Sequence, residues 1–258
     1  MGNSSQGERI GRPAIGVDVR AGWTNALYMW RPARSLVVEI SLKDNQTRTM
    51  KPKIILCLSL VLSGHCQAAI VYPNAPDGGR QMVYENAAQI LRTDPRFLGG
   101  FRLEELTVTD PYRNYYVGLK DLASGHLLSA ARLGDWTYLF IHGTNAVGMG
   151  GLIADEKTGK ALKANGLGSS NFSNETLEAL RIAEQLPQIK KSDYEFRRLD
   201  SPGVYFVAVW LHGKSDDIII PLPNTFGRWN AYQPYSESQM IKLLKPEAKK
   251  RLKNPGFD

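Results

Sequence analysis

The chain of 258 residues carries 32 Lys and Arg against 25 Asp and Glu, a net charge of +7 at neutral pH, but the excess is concentrated at one end. Residues 1–68 hold 9 basic and 4 acidic groups, leaving 23 against 21, or +2, for residues 69–258. That near-neutral remainder carries no nucleic-acid-binding motif and points away from such a partner, and because both cysteines, Cys57 and Cys66, precede residue 69, it can form neither a disulfide nor a thiolate metal site.

Residues 1–49 contain Trp23, Trp30 and a strand-like SLVVEI at 35–40, but no sustained period and no apolar partner. They are expected to lie outside the fold, either as a basic leader or because Met50 is the true start. Residues 50–68 have the three zones of an export signal: Lys51 and Lys53, an apolar run at 54–62, and a polar, small-residue exit at 64–68. The run is interrupted at Ser63, Gly64, His65 and Gln67, short of the roughly 20 apolar residues that a membrane span needs. Cleavage after Ala68 puts the small residues Cys66 and Ala68 where a signal peptidase reads. His65 directly before Cys66 argues against a lipid anchor. The expected mature chain is residues 69–258, one domain of a secreted or periplasmic protein with no stable membrane span.

Within it, apolar pairs recurring every four residues predict a helix over 80–91, ended by Asp94-Pro95. Leu106 and Val108 alternate with threonines, and Tyr115, Val117 and Leu119 share one face of the next run, so both segments read as strands. Residues 120–135 fit neither period. WTYLFI at 136–141 and the run at 146–154 are strands, and DEKTG at 155–159 turns the second into a third at 160–164, with Gly159 free to take a positive φ. A helix follows over 174–186, with Asn174 as its cap and Pro187 as its stop.

Three strands joined by short turns come next, at 194–199, 204–211 and 216–222, as an antiparallel meander. VYFVAVWL is apolar at both parities and therefore central, whereas Pro221 near the end of the last strand suits an edge or a terminal position. Ser236 and Gln239 form a capping box for a final helix, which Pro246 kinks or restarts. The basic run Lys242, Lys245, Lys249, Lys250, Arg251 and Lys253 reads as its solvated face. Clustered strands with few helices between them predict an α+β fold, an antiparallel sheet with helices packed on one face.

Residues 136–162, and GLIADEKTGKAL at 151–162 above all, resemble the terminal hairpin of PepSY-type modules, in which a strand ends at an acidic residue, turns through a Thr-Gly pair and returns. Asp155, Thr158, Gly159 and Lys160 match that pattern. The resemblance implies a small secreted or periplasmic domain, mostly non-catalytic, that acts on extracytoplasmic partners.

Evidence for catalysis is thin. YLFIHG at 138–143 is like the strand and His-Gly pair of α/β-hydrolases, but the chain has no G-x-S-x-G elbow for a serine nucleophile, so His142 reads as a turn residue. His126, His142 and His212 show no helical ligand spacing, and His212 with Asp216 and Asp217 reads as an exposed turn. No catalytic residue, metal or cofactor is assigned. The densest cluster of binding-type side chains is NTFGRWNAYQPY, with Phe226, Arg228, Trp229, Tyr232 and Tyr235. It either presents a binding surface or crosses the sheet and closes the core with its aromatics. The expectation is therefore a non-catalytic binding module for an extracytoplasmic protein, peptide or glycan, the alternative being an extracytoplasmic hydrolase whose site is assembled from distant residues.

Overall fold

The computed structural model describes residues 69–168, 170–223 and 229–254. The leader and the export signal lie outside the described residues.

The elements are β1 (Ile70–Val71), α1 (Gly79–Thr93), β2 (Thr107–Val108), β3 (Tyr112–Tyr116), α2 (Leu119–Ser124), β4 (Arg132–His142), β5 (Asn145–Ala154), β6 (Ala161–Gly168), α3 (Ser170–Glu184), β7 (Tyr194–Ser201), β8 (Phe206–Gly213), β9 (Asp217–Pro221) and α4 (Glu237–Lys253). The strands of the described residues form one nine-stranded sheet ordered β6-β5-β4-β3-β7-β8-β9, with β1 beside β7 and β2 beside β4. The class is mixed α and β. The sheet is not wholly antiparallel, because β3 and β7 pair in parallel, as do β1 and β7. Two antiparallel runs, β3 to β6 and β7 to β9, are joined at that parallel seam. A parallel pair needs a long crossover, and α3 lies in the connection that carries the chain from the far edge back to the centre.

That crossover also places helices on both faces, where one covered face was expected. Val209 and Leu211 of β8 pack with Ala179, Leu180 and Ala183 of α3. Ala208 and Trp210 of the same strand point the other way, into a core closed by Leu122 of α2 and Met240 and Leu244 of α4. α1 covers β4 and β5 on that second face through Val83 and Ala87. A strand apolar at both parities can be buried only if both faces are covered, so the composition of β8 already called for this arrangement.

Local chemistry sets the details. Asp155 Oδ1 accepts the N–H groups of Lys157 and Thr158 at 2.8 and 2.9 Å, and Gly159 takes φ 70°, so the turn between β5 and β6 is an Asx-type turn with its left-handed position at glycine. Gly79 opens α1 because no larger residue fits there. A Cβ at that position would strike Tyr138 and lie 2.7 Å from Leu152 Cδ2. At the start of α4 the capping box forms: Gln239 N–H reaches Ser236 Oγ, and Gln239 Oε1 accepts from Ser236 N–H at 2.8 Å. The helix runs unbroken through Pro246. Among its basic residues Lys242, Lys249, Lys250 and Lys253 are exposed, while Arg251 pairs with Glu247 and lies over Tyr205.

Candidate functional site

Centres of large sheets are normally apolar, yet the two strands at the parallel seam read YRNYY (β3) and YEFRRLDS (β7). Their register sets Arg113 beside Arg197 and Asn114 beside Arg198. Successive side chains alternate between faces, so the first pair points to the face of α1, α2 and α4 and the second to the face of α3.

On the first face the register continues outward: Trp136 of β4 opposes Arg113, and Trp210 of β8 opposes Arg197. A single rung across four strands therefore reads Trp136, Arg113, Arg197, Trp210. The Arg113 guanidinium lies 4.3 Å from the Trp136 ring centre. That of Arg197 lies 4.7 Å from Trp210 and 5.0 Å from Tyr115. Such cation–π contacts strengthen when water is excluded, and the Arg113 side chain is only 6% exposed. Neighbouring strands are about 4.8 Å apart, so the two cations repel unless each has a counter-ion. Glu156 supplies one at 2.5 Å from Arg113, and Glu195 the other at 2.8 Å from Arg197. Beyond Trp210 the rung is braced by Asp217, whose Oδ1 accepts the indole N–H at 2.7 Å and lies 2.7 Å from His212 Nδ1.

Arg113 and Trp136 form the floor of a recess of about 300 Å³. One wall is the segment Asn74 to Asp77 that leads into α1, and the other is the turn from Asp155 to Gly159. The walls are tied together, because Asp77 N–H donates to Gly159 O at 2.9 Å and Ala161 N–H to Asp77 O at 3.0 Å. The two walls are therefore fixed relative to each other by backbone hydrogen bonds. Asp77, Asp155 and Glu156 are among the residues that line the recess. Backbone N–H groups of Thr158 and Lys157 hold the Asp155 carboxyl below the ordinary aspartate range.

The opposite face of the seam carries a polar network. Asn114 Nδ2 donates to Asp135 at 2.6 Å and to Thr137 at 2.9 Å, and Tyr116 and Asn165 also donate to Asp135. Arg198 pairs with Asp200 at 3.1 Å and lies over Phe172 of α3. Burial pushes the Asp200 carboxyl up, opposed by Arg198 and reinforced by Asp135. The Tyr112 hydroxyl is also pushed up by burial, and although Arg198 and Thr137 lie near it, it makes no hydrogen bond of good geometry.

Comparison with protein-family models, curated proteins and solved structures gave no match. The chemistry must therefore be read from the site. Among the described residues no group of three or more His, Cys, Asp or Glu is placed to hold a metal. The arrangement can bind a charged group and orient it.

Of the aromatic cluster expected to bind, Phe226 and Arg228 lie outside the described residues. Trp229 is 7% exposed and meets Phe206 edge-to-face at 5.3 Å. Tyr235 packs on the same core, but Tyr232 packs on the core of the opposite face. The segment crosses the sheet edge, exchanging two 2.9 Å hydrogen bonds between Tyr235 and Ile219 and donating Tyr232 N–H to Pro221 O at 2.8 Å. It covers an edge strand that would otherwise pair with other chains, and its described aromatics do not gather on one surface. His142 stacks on Phe101 at 3.8 Å at the end of β4, and Asp216 accepts the Tyr194 hydroxyl. Sequence reasoning missed Arg113 and Arg197. The available signal was two adjacent arginines, Arg197-Arg198, inside an otherwise sheet-like run.

Proposed function

We propose that residues 69–258 form a non-catalytic binding module of the secreted or periplasmic space, exported by the signal at 50–68, and that its partner, a protein, peptide or glycan, engages the recess floored by Arg113 and Trp136. The observation that carries this reading is the near-complete burial of a guanidinium at the base of a recess, with a single hydrogen bond among the described residues, to Glu156. Burying an ion costs several kcal/mol, and sheet stability alone would favour an apolar residue there. Arg and Trp are also the side chains that dominate binding hot spots. The turn that resembles PepSY-type hairpins forms one wall of the recess, which accords with an interaction role.

In a pull-down from extracytoplasmic extract, Arg113→Met should lose the partner captured by the wild-type protein. Its melting temperature should stay within a few degrees, since methionine can fill the space over Trp136 and the stranded Glu156 is 57% exposed. Equal capture by both proteins would refute the reading. The compartment is tested separately: N-terminal sequencing of the fractionated protein should find a start at or near Ala69, and residues 1–49 attached to a cytosolic product would overturn export.

The second reading, a hydrolase, draws on His212. Asp217 at its Nδ1 fixes one tautomer and leaves Nε2 to act as a base, and Glu195 stands opposite it in register. Hydrolysis of an ester, peptide or glycoside panel that disappears in His212→Ala would favour it.

A further inference from the structure

The charges around the recess identify a narrower ligand class. A guanidinium has five N–H donors arranged to grip a carboxylate through two parallel hydrogen bonds. Arg113 gives one hydrogen bond, from Nη2, to Glu156. A plain anion fits this floor but not its surroundings, because Asp77, Asp155 and Glu156 outnumber the one cation. Lys157 and Lys160, on the same turn, are exposed and do not line it. A simple cation would be repelled by Arg113. What satisfies both is a small molecule carrying an anionic and a cationic group one carbon apart. About 300 Å³ is at the low end for ligand sites, so a large partner can meet the recess at its mouth but only a group the size of a single residue can enter it.

Resting on the reading of this recess as the binding site, we infer that it holds the zwitterionic head of an α-amino acid, with the carboxylate on the remaining N–H groups of Arg113 and the ammonium on Glu156. Glu156 is thus a ligand-binding group as well as a counter-ion. It already sits 2.5 Å from Arg113, so an ammonium one carbon away from an Arg113-bound carboxylate arrives beside it. Ala75, Pro76 and Ala154 also line the recess and favour a small apolar side chain.

The twenty common amino acids, added singly to the wild-type protein, are compared by calorimetry, and the tightest binder is then tested as its amide and as its N-acetyl derivative. Both derivatives should bind at least about tenfold more weakly, the loss expected when a charge-assisted hydrogen bond is removed. Glu156→Gln should weaken the free amino acid by a similar factor but strengthen the N-acetyl form, which lacks the ammonium and is relieved of repulsion. Tighter binding of both forms by Glu156→Gln would make Glu156 a mere competitor and the recess a plain anion site, overturning the inference. Absence of binding by every amino acid would also overturn it. If Arg113→Met still abolishes partner capture in that case, the recess remains the binding site and only the zwitterion assignment falls.

Discussion

Replacing Trp229 by alanine is expected to remove roughly 3–5 kcal/mol of folding stability, the usual range when a large buried aromatic is truncated. The indole is 7% exposed, stands edge-on to Phe206 and closes the core shared by β8, β9 and α4. Its removal also loosens the segment that covers β9, so a variant that remains folded should associate more readily through that edge. Urea titration beside a partner-binding assay checks this. A normal unfolding midpoint with lost partner affinity would instead make this segment the recognition surface that its composition suggested.

The second large effect is at the seam. Arg198→Met should cost about 3–5 kcal/mol, because it leaves Asp200 as a buried charge without its partner. Their side chains are 13% and 11% exposed, so water cannot replace the lost ion. The loss should depend on pH. The Asp200 carboxyl already lies above its ordinary value through burial, and without Arg198 it rises further. A group raised on folding contributes stability that is complete below its unfolded pKa and is lost as pH rises through the folded one. The deficit of Arg198→Met should therefore be largest at neutral and alkaline pH and shrink as pH falls toward the ordinary carboxylate range. Adding Asp200→Asn should recover much of the loss and flatten the pH profile. Urea midpoints across that pH range test both statements, and a pH-independent deficit would show that lost packing, not charge, is responsible.

Several elements were legible because their signals are local. The four-residue period at 80–91 marked α1, the capping box at Ser236 and Gln239 marked α4, and the Asx turn at Asp155 closed the hairpin as read. Residues 120–135 were not legible, because α2 has only 6 residues and ends at Gly125 in the left-handed region, too short for periodicity to register. Asn174 was misread for a different reason. It lies inside α3, and its Oδ1 accepts the N–H of Ala146 at 2.9 Å, a contact 28 residues away in sequence that only the packed fold creates.

By itself the sequence determined the mixed α and β class, most strand and helix positions, the exposure of β8 to two cores and the edge position of β9, because each follows from the side-chain period or from the backbone chemistry of proline and glycine. Only the tertiary structure decided that α3 carries the chain across to a parallel seam. The same seam sets Arg113 beside Arg197, 84 positions apart, while packing against Phe206 turns Trp229 inward. The physical reason is register. A strand's own sequence specifies which residues share a face, but the neighbour that each one meets depends on which strand arrives beside it and at what offset. In a sheet whose central rung joins β4, β3, β7 and β8, that offset is set by the packing of the whole domain.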